Sequence, residues 1–390
     1  MTTPSDGPDD RARHFLIACL TGTRSPSRRD EARRAVAEGL LDWRIVEAMA
    51  VEEKIAPLLH RATRDHDLLP DWLADGFRRA YLETGLINKL RLEDLAVALD
   101  RLAAAGIDTI VLKGVALAHT VYDTIALRPM IDVDLLVRRD DALAALDVLR
   151  ECGYRPDRDE IMPAALLAYE NELFLRKRDR LEWHLELHWS LFDSPYYQAR
   201  QPESDLWATA VPLVVEGAPT RVLSPELMLL HLCGHLALHH RNHGLLWQCD
   251  IVELLHHEGE RMDWDVVLAQ AAAMRLILPL KSVLPGLAEV WEAPIPATVL
   301  AHLAAARPGR VEARVYQAQT TGRRSVGPRL IDDLVALPSW AARARFLWAN
   351  LFPPAAYMDE RYGIGHPALR VLYYPYRWAI GILSFFTKRR

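Results

Sequence analysis

Apolar residues recur every three to six positions through much of the first hundred residues. Between Arg29 and Leu59 they fall at Ala32, Val36, Leu40, Ile45 and Met49. From Asp71 to Ala105 they fall at Leu73, Phe77, Tyr81, Ile87, Leu90, Leu95, Leu99 and Leu102. This spacing predicts helices, the second ended by Gly106. The rhythm then changes. Asp108–Lys113 is a short β-rich run, Val115–Tyr122 one or two helical turns, Asp123–Pro129 a loop, and Ile131–Val137 a second short strand. Arg139–Arg150 has the period of an amphipathic helix ending near Gly153, and two further β-like runs cover 172–177 and 181–189 around a turn at Arg178-Asp-Arg180. At Ser224-Pro225 an N-cap residue and a first-turn proline open a return to helix. Helices are predicted over 226–240, 245–257, 263–274 and in segments up to Asn350. The pattern divides the chain into a polar tail expected to be disordered (1–10), a helical lobe (11–106), an α/β core built on a sheet (107–223) and a second helical lobe (224–390), an α+β fold.

The chain has 390 residues, 51% hydrophobic and 25% charged, in the range of a globular protein. A net charge of -5 makes long nucleic acid an unexpected partner but leaves room for a nucleotide. Cys19, Cys152, Cys233 and Cys249 lack CxxC spacing, which argues against a zinc ribbon or a disulfide framework and makes the cytoplasm the expected location. The acidic start lacks the basic and apolar regions of a signal peptide, and the longest apolar run, Trp378–Phe386, is too short to span a bilayer. That segment, aromatic and followed by Lys388-Arg-Arg390, is expected to be a docked helix with a basic tail, with membrane-surface contact the lesser alternative.

The chemistry concentrates at Ile131-Asp-Val-Asp-Leu-Leu-Val137. Alternation places Asp132 and Asp134 on one face and Ile131, Val133 and Leu135 on the other. Two ionised carboxylates on an otherwise apolar strand call for a cation between them. In Glu182-Trp-His-Leu-Glu-Leu-His-Trp189 the same alternation groups Glu182, His184, Glu186 and His188. If the two strands are neighbours, Glu186 completes a three-carboxylate metal cluster, with Glu182 as the fallback. Such a cluster suits two-metal phosphoryl or nucleotidyl transfer, with two Mg²⁺ ions and a nucleoside triphosphate such as ATP. Lys113 and Gly114, at a strand-to-helix turn, are candidates to hold phosphates, and Arg128 is a further candidate.

These residues resemble a known family. Strand, Lys-Gly, short helix, Arg-Pro-x-x-Asp-x-Asp-Leu-Leu-Val and then a Glu-x-His-Trp strand are similar to the uncharacterised bacterial nucleotidyltransferase family of the DNA polymerase β superfold. The likeness is strongest over 107–192 and looser through Ser224-Pro-Glu226 and Trp247-Gln-Cys-Asp250-Ile251. The resemblance implies a mixed sheet with flanking helices, two Mg²⁺ ions and transfer of an NMP from an NTP. By motif it makes Asp132 and Asp134 the paired metal ligands, Glu186 the third carboxylate and Gly114 the glycine of the phosphate turn. The superfold usually carries Gly-Ser there; this chain has Gly114-Val115, which bears on how triphosphate is held.

Other residues carry weaker signals. His184 and His188 are expected to support the carboxylates rather than form a zinc or iron site. His231, His235, His239, His240 and His243 include the i,i+4 pairs His235/His239 and His239/His243. Hydrogen bonding within the lobe is the expectation for them, with lining of the nucleotide or acceptor pocket, or a separate zinc site, as alternatives. Asp250 is a candidate general base or a cap for a neighbouring group. The functional expectation is a Mg²⁺-dependent nucleotidyltransferase acting on a small molecule, sugar or peptide. Its rivals are a protein-modifying NMP- or phosphotransferase and a non-catalytic nucleotide-binding module. The oligomeric state is not legible.

Overall fold

The computed structural model describes residues 7–156, 171–178, 182–321, 334, 337 and 339–387. Five helices lead: α1 (Pro8–Thr21), α2 (Pro26–Ala37), α3 (Trp43–Glu52), α4 (Ala56–Thr63) and α5 (Asp71–Ala104). The mixed region follows, with β1 (Ile110–Val111), α6 (Lys113–Thr120), β2 (Asp132–Leu136), α7 (Ala142–Glu151), β3 (Arg155–Pro156), β4 (Glu172–Arg178), β5 (Glu182–His188), α8 (Pro195–Gln198), α9 (Glu203–Ala208), β6 (Val211–Val215) and β7 (Ala218–Val222). The remainder is helical: α10 (Pro225–Leu238), α11 (Leu245–Glu258), α12 (Trp264–Met274), α13 (Ile277–Val290), α14 (Ala297–Ala305), α15 (Arg310–Thr320), α16 (Trp340–Leu351), α17 (Ala355–Tyr362) and α18 (Arg370–Thr387).

The seven strands form one mixed sheet in the order β3-β4-β5-β2-β1-β7-β6. The pairs β2/β5 and β1/β7 are parallel and the rest antiparallel. Trp183, Leu185 and Leu187 of β5 are buried, and Arg91 of α5 lies over the Trp183 ring, so α5 and α7 cover this side of the sheet. The opposite side carries the acids and lies under α10 and α11. One continuous apolar core runs from Ala12 to Val315.

Local chemistry explains the main boundaries. At the end of α5, Gly106 takes φ +76° and Ile107 N–H returns to the Leu102 carbonyl. The Ser224 hydroxyl accepts from Leu227 N–H at the start of α10. Three departures from the sequence reading have simple causes. The tail expected over 1–10 gives way to helix at Pro8, a first-turn proline followed by Asp9 and Asp10, which suit a helix N-terminus; residues 1–6 lie outside the described residues. The hairpin β6–β7 turns on Glu216 (φ +48°) and Gly217 (φ +92°), and a Glu in the left-handed region gives a weaker turn signal than Asn or Asp. Ile131, expected among the buried residues of the acidic strand, is 46% exposed, because pairing with β5 begins at Asp132. Of the predicted turn at 178–180, Asp179 and Arg180 lie outside the described residues.

The N-terminal lobe is tied to α11 by a buried ionic group. Glu253 of α11 accepts from Arg61 Nη2 of α4 at 2.5 Å and from Arg24 between α1 and α2. Burial opposes its charge, but Arg61 and Arg24 hold its carboxyl below the ordinary value of 4.5. A carboxyl depressed in the folded state stabilises the fold above its unfolded value and loses that contribution as pH falls through the folded one. Glu253→Gln is therefore expected to lower stability at neutral pH by about 1–2 kcal/mol, since a half-buried and a partly exposed guanidinium lose their counter-charge. Urea unfolding should show the gap between variant and parent narrowing once the pH drops below 4.5.

Candidate active site

The two acidic strands are parallel neighbours, in the register Asp132↔His184, Asp134↔Glu186 and Leu136↔His188. Asp134 and Glu186 therefore lie side by side on the face opposite α5 and α7. Asp134 is 3% exposed, and its charge is met from two sides. Lys113 Nζ donates to its Oδ1 at 2.5 Å, and His188 Nε2 lies 3.0 Å from the same oxygen. His188 Nε2 is also 3.4 Å from Glu186 Oε2, and its Nδ1 is 3.1 Å from Glu172 Oε2 on β4. Lys113 Nζ stands 3.9 Å from Glu186 Oε2. Lys113 reaches this position from a left-handed backbone (φ +43°), a strained conformation for a residue with a Cβ.

The protonation pattern follows from this crowding. Burial opposes the His188 charge, yet its bonds to Asp134 and Glu186 push its pKa up to about 9. Burial also opposes the Lys113 ammonium, which the surrounding carboxylates nevertheless hold above its ordinary value. Asp134 is held well below the usual carboxylate range by Lys113 and His188 in spite of its burial. Asp132 is pushed up, by burial first and then by Asp134, and Glu172 likewise by burial and then Glu186. Four carboxylates thus crowd around Lys113 and His188, with Arg128 and Arg91 acting on Asp132 from further off, and burial and neighbouring carboxylates disfavour the charged forms of Asp132 and Glu172.

These acids line a cleft of about 290 Å³. Lys113, Gly114, Asp132, Asp134, Glu172 and Glu186 form one part of its wall. Arg128 and the residues up to Ile131 border it, and Lys54, His235, His239, His240 and Trp247 stand opposite, with Leu246. His240 stacks on Trp247 with ring centroids 3.4 Å apart and planes 17° apart, and His235 stands 4.6 Å from His240. Gly244 makes the indole's position available: it takes φ +106°, and a Cβ there would meet the Trp247 ring at 2.0 Å. Burial, together with the Lys113 charge, holds the His231 and His235 pKa values well below the ordinary imidazole value. Gly114 is likewise constrained, since a Cβ would meet Met130 Cγ at 2.9 Å.

Arg128 also lines this cleft, with Nη1 beside Gly114, but its charge is already engaged; other residues singled out in the sequence sit elsewhere. Arg128, a phosphate candidate, is 6% exposed; its Nε and Nη2 bind Asp250 at 2.8 Å and its Nη1 binds the Pro129 carbonyl. Asp250 is fully buried, receives Tyr122 Oη at 2.9 Å as well, and does not line the cleft, so the general-base reading gives way to a clamp on the loop before β2. Asn88 of α5 secures the same loop through the Ile125 and Arg128 carbonyls. Glu182 is exposed beside Arg176 and Arg178, away from the cluster. His184 packs on Phe174, 4.9 Å between ring centroids. α10 ends at Leu238, so His239 and His243 do not share a helix face. Glu172, Lys54 and Trp247 were not singled out as site residues. The alternation of Glu172, Phe174 and Arg176 with Leu173 and Leu175 carries a signal for the first; none in the sequence marks Lys54.

Among the described residues, Asp134, Glu186 and His188 offer ligand atoms that all lie within 4.8 Å of one another. With Asp132 on the same strand face, the oxygen donors fit a hard divalent cation, and a cation would relieve the carboxylate crowding just described. His188, already bonded to Asp134 and Glu186, orients them.

A family model described as "Uncharacterised nucleotidyltransferase" matches residues 40–291, more than half of the chain. No curated protein matches. Among solved structures, the crystal structure of an antigenic nucleotidyltransferase-like protein from Paracoccidioides brasiliensis is 18% identical, with a TM-score of 0.35; the match covers 53% of this chain and 94% of that one.

The Arg128–Asp250 clamp yields a direct test. Asp250→Ala leaves a buried guanidinium unpaired and is expected to destabilise the fold by about 3–5 kcal/mol. Thermal denaturation of Asp250→Ala, Arg128→Ala and the double variant should show the double variant costing less than the sum of the two.

Proposed function

The chain belongs to the uncharacterised nucleotidyltransferase family, and on that premise we propose a divalent-cation-dependent enzyme that moves an NMP from an NTP to an acceptor on a small molecule, sugar or peptide. The observation that carries the reading is the crowding of four carboxylates in the cleft, Asp132, Asp134, Glu172 and Glu186, among which Lys113 and His188 make the close ion pairs. Asp132, Asp134 and Glu186 would hold Mg²⁺, which when bound neutralises triphosphate charge and activates the attacking group.

The protein's own residues then have distinct tasks. His188 fixes the orientation of Asp134 and Glu186. Lys113, the counter-ion of Asp134, turns to the phosphates as they arrive, and Lys54 approaches from the other side of the cleft. Val115 is buried and carries no hydroxyl, so phosphate contact at this turn falls to Lys113 and the backbone. The Trp247–His240 stack offers a planar wall for a nucleobase. The acceptor's nucleophile forms a bond to the α-phosphorus as the bond to pyrophosphate breaks, and its proton passes to a cleft carboxylate.

Incubation with Mg²⁺ and each α-phosphate-labelled NTP in a cell extract is expected to give labelled product. Asp132→Ala/Asp134→Ala should lower transfer at least about a hundredfold, and chelation should abolish it. Label on protein rather than on small molecules would favour the protein-modifying alternative; nucleotide binding without transfer would favour the non-catalytic one. Mn²⁺ titration followed by its paramagnetic signal should show binding weakened in Asp134→Asn. Trp247→Ala is expected to raise the NTP KM about tenfold with a smaller change in kcat. Transfer that survives both chelation and the double substitution would sink the metal reading.

A further inference from the structure

The helix α18 turns its apolar side outward. Val371, Leu372, Tyr376 and Ile380 are 72%, 65%, 53% and 44% exposed, and Pro375 and Ala379 between them are exposed too. The i,i+4 repeat aligns them as one stripe along the helix, and no charged residue interrupts it. Its polar groups point the other way. Tyr374 Oη donates to the Pro353 carbonyl at 2.7 Å, and Trp378 Nε1 to the Leu351 carbonyl at 2.8 Å. Arg370 Nε donates to Asp359 Oδ1 at 2.7 Å, and Arg377 Nη1 reaches Tyr357 Oη at 3.3 Å. These bonds seat α18 on α16 and α17 and fix which face remains open. On α16, Trp340 is 81% and Trp348 65% exposed. Single exposed apolar residues need no explanation, but an ordered stripe on a helix packed against one with exposed indoles does.

Charge indicates what covers the stripe. Residues 339–390 contain eight Lys and Arg against two Asp and Glu, a net +6 in a chain whose total is -5, so the remainder carries -11. Two copies meeting through this face would bring like charges together. An anionic lipid surface complements it: the apolar stripe enters the acyl boundary, the exposed Trp340 and Trp348 sit at headgroup level, and the segment's net positive charge draws it to lipid phosphates. No helix among the described residues is long and apolar enough to cross a membrane, so the geometry is that of a helix lying in the interface. The region also lies beyond residues 40–291, outside the family match. We infer that α16–α18 form a docking surface for an anionic bilayer, independent of the chemistry in the cleft.

Vesicle flotation of the full chain tests this. The protein should float with vesicles of phosphatidylcholine mixed with phosphatidylglycerol, stay behind with phosphatidylcholine alone, and detach as salt is raised. Leu372→Glu/Tyr376→Glu/Ile380→Glu should lower the bound fraction at least about tenfold with the thermal midpoint unchanged. If that variant does not fold, the parent's tryptophan emission decides. A shift to shorter wavelength on the mixed vesicles supports docking, and an unchanged spectrum overturns it. Absence of flotation with either vesicle overturns it, as does a concentration-dependent dimer that the triple substitution dissolves.

Discussion

A carboxylate buried to 3% exposure organises this molecule. Asp134 survives inside the sheet only because Lys113 and His188 reach the same oxygen from two different elements. Their approach depends on the parallel register of β2 and β5, which sets Asp134 beside Glu186 and brings His188 within reach. Lys113 must come from the first residue of α6 with a left-handed backbone, so that helix cannot shift without uncovering the charge. Burying an ion costs several kcal/mol unless its partners are in place, and that cost constrains the surrounding strands more tightly than apolar packing alone would.

The cleft over this group has walls of different character. The sheet side is acidic, hard and strongly charged. The α10–α11 side is aromatic and, at His231 and His235, held neutral by burial and the Lys113 charge. Such a pairing suits a ligand that is anionic at one end and planar at the other. The walls are held together by Arg128–Asp250 at the cleft itself and by Arg24–Glu253–Arg61 away from it.

Much of the fold was legible because it rests on local rules. The 34-residue α5, its Gly106 end, the capped start of α10 and the acidic strand all follow from periodicity and short-range chemistry. The placement of Asp134 beside Glu186 was legible as a conditional: alternation grouped the acids, and only strand pairing made them neighbours. What escaped is what long-range contacts decide. Arg128 lines the cleft, but its pairing with Asp250 was hidden, since nothing local marks two residues 122 positions apart as partners. Glu172 lay at the beginning of a strand whose sequence neighbour to His188 is invisible until β4 pairs with β5. Trp247 depends on the approach permitted at Gly244, a property of backbone conformation rather than of composition.

The clamp on the loop before β2 also bears on how the chain acquires its structure. As the polypeptide is made from its N-terminus, β2 and β5 are complete once His188 has emerged, and they can then pair. The loop that leads into β2 has no anchor from α11 until Asp250 follows, and the Glu253 contact to Arg24 closes over 229 positions. Closing contacts so distant is slow, because the chain entropy is lost before the bonds are gained. The acidic strands can therefore pair, with Asn88 of α5 already holding the loop, before Asp250 and Trp247 of α11 are available to complete the cleft. Chain order thus makes the acidic wall of the cleft available before its aromatic one.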